Sequence, residues 1–183
     1  MFDEALTRGQ SYENLRVLCK QIGARLSGSP QAAKAVEWGV AALKAAGADS
    51  VWLQPCQVPH WERGKPETGR VLGAKNLGNV PVCALGGSVG TTGKLTAPVV
   101  EVRTFEELAA LPAERVKGRI VFFNRPMEPR NVVSFASYGG AVNQRGRGAI
   151  EAARRGAVGV VVRSMNLRAD DYPHTGAMRY EDG

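Results

Sequence analysis

Two short runs constrain this chain more than anything else in it. Ile120-Val121-Phe122-Phe123 and Ala157-Val158-Gly159-Val160-Val161-Val162 are apolar at nearly every position and do not alternate with polar residues. Each therefore reads as a buried strand, with the first apolar enough to be central in a sheet. Between them, residues 142–155 read as a helix stopped by Gly156. Its apolar positions Ala149, Ile150, Ala152 and Ala153 are mostly small, so the helix can approach a sheet closely. The stretch before it, with Pro126 and Pro129, reads as a loop. Glu151 and Arg155 stand four apart on the helix and are expected to pair.

Upstream, Thr104-Phe105-Glu106-Glu107 matches the S/T-x-x-E capping box and predicts a short helix to about Leu111. Residues 80–85 and 97–102 read as short strands separated by the glycine-rich loop 86–93. From about residue 70 onward the chain is thus a mixed β/α unit.

The first 62 residues have a different character. Leu15, Leu18, Cys19 and Ile22 form one apolar stripe ended by Gly23. Ser29-Pro30 reads as an N-cap followed by proline at the first helical position, and Ala33, Val36, Val40 and Leu43 line a second helix ending at Gly47. Each helix has one apolar face that needs a sheet or a partner to cover it. Val51, Trp52 and Leu53 suggest a strand, which Pro55 limits to an edge. The polar segment 62–69, with its Gly and Pro, reads as a crossing between structural units. The tail from Asn166 has no periodicity and runs out in a polar loop, as expected of a chain cut from something longer.

Composition excludes several functions. A 44% hydrophobic fraction in 183 residues is enough for a core, and no run approaches the 18 apolar residues of a membrane span. The charge is 24 − 17 = +7, but its densest cluster (Arg145, Arg147, Arg154 and Arg155) has no interleaved aromatics to stack bases. A solvated helical face fits it better than a nucleic-acid track, so no nucleic-acid partner is expected. Cys19, Cys56 and Cys83 are too few and too scattered for a disulfide framework. Met1-Phe2-Asp3-Glu4 lacks the basic start and apolar run of a signal peptide.

No catalytic set assembles from spacing. Cys56, His60 and Glu62 cluster, as do Asp170, Asp171 and His174, but Pro59 and Pro173 place both in non-helical context. Structural or solvent roles fit both clusters better than metal ligation. Ser88 sits in a G-x-S-x-G match, yet Gly90-Thr91-Thr92-Gly93 is a poor helix start, so a tight turn fits better than a nucleophile elbow.

Several motifs in order carry a family resemblance. Tyr12-Glu13-Asn14-Leu15, Ile22-Gly23-Ala24-Arg25-Leu26-Ser27-Gly28-Ser29 and Val58-Pro59-His60-Trp61-Glu62-Arg63-Gly64 resemble the opening of carboxypeptidase Q-like di-zinc exopeptidases. Residues 84–91, 156–164 and Pro173-His174-Thr175-Gly176 resemble that family's inserted protease-associated domain. The resemblance implies that residues 1–62 are the opening helices and first strand of a zinc-peptidase α/β domain. Residues 65–183 would then be a protease-associated β-sandwich or barrel with flanking helices, giving a mixed α/β chain overall.

Two zinc ions would belong to the parent enzyme, whose ligands follow the inserted domain, and no cofactor is expected on this chain. His174 is followed by Thr175-Gly176 and does not match the family's H-x-D histidine. By the same resemblance the chain is inert alone and helps to wall the substrate cleft. Its partners would be the rest of the catalytic domain and peptide substrates, a homo-oligomer is left open, and the parent is secreted or periplasmic. His60, Arg163 and His174 are the candidates for groups near a substrate carboxylate or at the domain junction. The rival expectation is a free-standing peptide- or protein-binding module with a basic surface.

Overall fold

The computed structural model describes residues 2–73, 78–168 and 170–181. Residues 1 and 74–77 and parts of the tail (residues 169, 182 and 183) lie outside the described residues. The chain divides into two compact units, residues 1–62 and 63–183.

The first unit is helical. α1 spans Phe2–Arg8, and α2 spans Ser11–Val17 before loosening into a π-helical turn over Leu18–Ile22. α3 spans Pro30–Ala45, and the Ser29 side chain caps it by accepting from the Ala32 amide at 3.1 Å. That bond satisfies one of the orphan N–H groups of the first turn. Gly47 ends the helix at φ 92°. None of the described residues 2–62 is buried. Leu15 is 56% exposed, Val36 50% and Leu43 55%, while Leu18, Ile22 and Val40 are half-buried. The foreseen stripes are thus only partly covered, and the first runs from α2 into the π-helical turn instead of along one α-helix. The better-covered side of α3 instead carries Ala35, Trp38, Gly39 and Ala42, and α3 touches the π-helical turn. The strand expected near residues 51–53 is absent. Residues 51–62 have no regular structure, because an extended segment becomes a strand only when another pairs with it.

The second unit is mixed α/β, the class read from the sequence. β1 (Gly69–Arg70) and β2 (Asn79–Val80) form a short antiparallel pair. The run expected to continue to residue 85 stops there, since Pro81 brings no N–H to a ladder. β3 (Val99–Val102), β4 (Ile120–Phe123) and β5 (Gly159–Val162) form a parallel sheet in the order β3-β4-β5. Val100 faces Val121, and Phe123 faces Val162, across its ladders.

α4 (Phe105–Ala110) links β3 to β4, while α5 (Ser134–Ala141) and α6 (Asn143–Ala153) link β4 to β5. The capping box is realised one residue wide. Thr104 Oγ1 accepts from the Glu107 amide at 3.0 Å, and Glu107 accepts from the Arg103 amide at 2.6 Å.

The core lies between one face of this sheet and the helices α4 and α6. Val100, Val102, Leu108, Val116, Val121, Phe123 and Ala152 compose it, with Phe105 set edge-on to Phe123 at 5.6 Å. β4 is central, as its composition suggested. β5, expected to be buried, has no fully buried residue, and Val161 is 43% exposed. The reason is topological. β5 is an edge strand, so Val160 and Val162 on the core side are only half-covered. Crossovers that step twice in the same direction leave the opposite face, with Val161, without a connecting helix.

α5 stands in the stretch that the sequence reads as a loop. Gly139 and Gly140 lower its helical propensity, and contacts formed only in the fold hold it. Ser137 and Ala141 on its inner side are buried.

Candidate functional site

The C-terminal ends of the three parallel strands gather the polar side chains of the second unit. Residues 101, 124 and 163 fall on the open face of the sheet by strand alternation. Arg163 NH1 donates to Asn124 Oδ1 at 2.9 Å, and Asn124 Nδ2 donates to Glu101 Oε1 at 2.7 Å. Arg163, singled out from the sequence, is thus engaged in a short polar row, with its backbone N–H donating to Phe123 O at 2.8 Å.

Beyond this row the chain leaves β4 and β5 in two segments that converge. After β4, a buried amide clamps the backbone. Gln144 on α6 accepts from the Arg125 amide at 3.1 Å and donates to the Arg125 carbonyl at 2.9 Å. Buried Ser137 donates to Glu128 O at 2.6 Å and accepts from Asn131 at 3.0 Å. A hydrogen bond from Arg130 holds the Glu128 carboxyl below the usual carboxylate range.

After β5, the His174 amide donates to Ser164 Oγ at 2.7 Å, and Ala177 bridges Gly86 in parallel. Arg63 joins the same assembly, donating to Ala84 O at 2.8 Å and to Thr175 Oγ1 at 3.3 Å. Its ion-pair partner Glu67 is held below the usual range, chiefly by a hydrogen bond from its own backbone N–H, with Ala84 and Arg63 adding to the effect.

Between the two segments lies an open groove of about 380 Å³, lined by Met127, Ser134, Phe135, Tyr138 and His174. The Tyr138 ring stands edge-on to His174 at 5.7 Å and tilted to Phe135 at 6.2 Å. Behind Tyr138 sits Arg145 of α6. Its NH2 donates to the Tyr138 hydroxyl oxygen at 2.6 Å, and its Cζ lies 5.4 Å from the ring centroid. Gly176 passes against this guanidinium so closely that a Cβ would collide with it. His174 is therefore part of a groove, whereas Arg163 supports the strand ends beside it. His60 belongs to the first unit, where its Nε2 lies 3.0 Å from Glu62 Oε1.

Phe135 and Tyr138 escape the sequence reading because α5 does, whereas Arg145, on the foreseen helix α6, reads there only as part of a solvated basic cluster. The usable signal was Phe135, Tyr138 and Val142, spaced three and four apart.

The remaining candidates take ordinary roles. Asp170 accepts from the Tyr172 amide at 2.9 Å, a local turn contact. Ser88 sits in a turn, its amide donating to Leu85 O at 3.0 Å, and no helix follows it. Glu151 pairs with Arg147 (2.9 Å) and Arg154 (3.3 Å) and not with Arg155 as expected, because the Arg155 guanidinium turns to the Leu111 carbonyl. Glu181 also meets Arg147 and Arg154, so much of the basic cluster is tied up in surface ion pairs. Among the described residues, no group of three or more His, Cys, Asp or Glu could hold a metal ion, and no helix is long and apolar enough to cross a membrane.

Comparison with known proteins gives a consistent family pattern. No protein-family profile matches the chain. Carboxypeptidase Q of Homo sapiens is 36% identical over 177 residues, covering 96% of this chain and 35% of its own length. Carboxypeptidase Q of Xenopus laevis is 37% identical over 176 residues, with the same coverage. The chain therefore spans about a third of the length of the curated relatives it matches. A crystal structure of a peptidase M28 precursor from Shewanella amazonensis superimposes with a TM-score of 0.87 at 34% identity, covering 99% of this chain and 40% of that one.

Proposed function

Because this chain is carboxypeptidase Q-like over 96% of its length, we propose that it is the N-terminal and protease-associated portion of a zinc-dependent exopeptidase. Its role there is to help wall the substrate cleft. The observation that carries this reading is the 0.87 TM-score, with 34% identity, onto part of a peptidase M28 chain that is itself much longer. The metal pair implied by the family does not fit on the described residues, which offer no cluster of three ligands. It would be held by residues outside them, in the part of the relatives that this chain does not match. What this chain supplies is shape: a groove at the strand ends, with His174 on its wall and Arg163 tied to Asn124 on the open face of the sheet. Export from the cytoplasm, into the periplasm or the medium, goes with the same reading, since the solved relative is described as a precursor.

The test is to assay dipeptide hydrolysis by this chain alone and by a full-length relative such as human carboxypeptidase Q. The chain alone should neither hydrolyse dipeptides nor bind two zinc ions per molecule, while the longer protein should do both. Zinc-dependent dipeptidase activity from the 183 residues alone would overturn the reading.

The +7 charge and the open groove favour a second reading, a binding module that works without any peptidase. A reading frame that stops after Gly183 would favour the module, and one that continues into His, Asp and Glu ligands would favour the peptidase.

A further inference from the structure

Arg145 of α6 keeps two guanidinium nitrogens buried and without a partner. Its Nε and NH1 are shut away from water with no hydrogen-bond acceptor, and among the described residues no carboxylate pairs with it. Its one recorded acceptor is the hydroxyl of Tyr138. A phenol oxygen that accepts from a guanidinium still has its own proton to donate. Tyr138 lines the groove, and binding through it requires that proton to be donated to a ligand there. Met127 and Phe135 are apolar walls, and the His174 imidazole, edge-on to Tyr138, is a polar one. Phe135 is 82% exposed, so the groove has an apolar wall that no described residue covers.

We propose that this groove binds the carboxylate of an apolar or aromatic acid, with Tyr138 as the hydrogen-bond donor and Arg145 as the cation positioned behind it. Arg145 is half-buried, with Nε and NH1 shut away from water, and an arriving carboxylate would offset part of the cost of leaving those donors without an anion. The preference for carboxylate over phosphate follows from the donor set. The guanidinium fork is turned inward onto Tyr138 and Gly176, leaving the Tyr138 and Ser134 hydroxyls and the His174 imidazole N–H as the donor groups of the lining residues. Phosphate sites present several N–H groups or an outward Arg fork, which this groove lacks among its described lining. A volume of about 380 Å³ lies within the range of small-ligand pockets and suits one side chain with its carboxylate. Two sources carry this chemistry, a free acid and the C-terminal residue of a peptide. The proposal rests on the exopeptidase reading only in so far as that reading would supply peptide ends.

The test is binding to the metal-free 183-residue chain, followed by NMR with N-acetyl-L-phenylalanine, its amide, and a tetrapeptide ending in phenylalanine with a free or an amidated C-terminus. The acid should bind at least about tenfold tighter than the amide, the size expected of a hydrogen bond to a charged group. Tyr138→Phe should abolish that preference while leaving the weak amide binding. Arg145→Gln should reduce the acid-to-amide ratio more than it reduces amide binding, which a merely structural role would not do. Should Arg145→Gln fail to fold, Tyr138→Phe, which keeps the ring, still decides the matter. Binding of the free-ended tetrapeptide like that of the small acid identifies peptide ends as the source, and binding of the small acid alone identifies free acids. Equal binding of acid and amide, a preference that survives Tyr138→Phe, or no binding of either acid would overturn the proposal. None of these results depends on peptidase activity, so failure here leaves the cleft-wall reading standing, and failure of that reading leaves this one.

Discussion

Replacing Gln144 with leucine tests how the groove is held in place. The Gln144 side chain is 2% exposed, and its amide makes two bonds to the backbone of Arg125, in the segment that leads from β4 to the groove residue Met127. Leucine is close enough in size to avoid a large cavity, so the loss is mainly polar. Both the N–H and the C=O of Arg125 lose their partner, and a deserted buried group costs about 1–3 kcal/mol. Arg125 is only half-buried, so water offsets part of this, and each group costs about 1–2 kcal/mol. The total is about 2–4 kcal/mol, against a stability of about 5–15 kcal/mol for a typical domain. For a unit of this size that lowers the melting temperature by roughly 6–15 °C.

The assay is thermal and urea unfolding followed by far-UV circular dichroism, since Trp38, Trp52 and Trp61 all lie in the first unit and report poorly on the second. Hydrogen exchange at the Arg125 amide gives the local readout and should accelerate more than exchange at the Val121 amide. A loss below about 0.5 kcal/mol, or unchanged exchange at Arg125, would show that the clamp does not hold this segment.

Gly176→Ala should push the Arg145 guanidinium off Tyr138, destabilise the unit by about 1–3 kcal/mol, and alter the Tyr138 ring signals in NMR. Glu67 is held below its unfolded pKa, so its contribution is present above about pH 4.5 and fades as pH falls through its lower folded value. Urea unfolding of Glu67→Gln should therefore differ from the parent at pH 7 and converge with it in acid; a constant difference at all pH values would refute the assignment. Leu43→Gln should change the stability of this chain by less than about 0.5 kcal/mol in a denaturant titration, because Leu43 is 55% exposed. A loss above about 1.5 kcal/mol would mean that its face is covered.

Local chemistry was legible in the sequence because it depends on neighbours in the chain. Ser29 and Thr104 cap helices from their own first turns, and Gly47 and Gly156 end helices at positive φ. The central place of Ile120–Phe123 followed from its composition, and the ordered motifs carried the carboxypeptidase Q resemblance. Tertiary structure decided the rest. The one-sided sheet follows from the direction of its crossovers, which no window of residues contains. Whether Val51–Leu53 becomes a strand depends on a pairing partner that a stretch of sequence cannot supply. The groove joins residues 127, 138, 145 and 174, and only the docking of α5 and the return of the tail past Gly86 bring them together. Helix α5 itself persists through buried Ser137 and Ala141 despite two glycines, so packing overrides propensity where the candidate site is built.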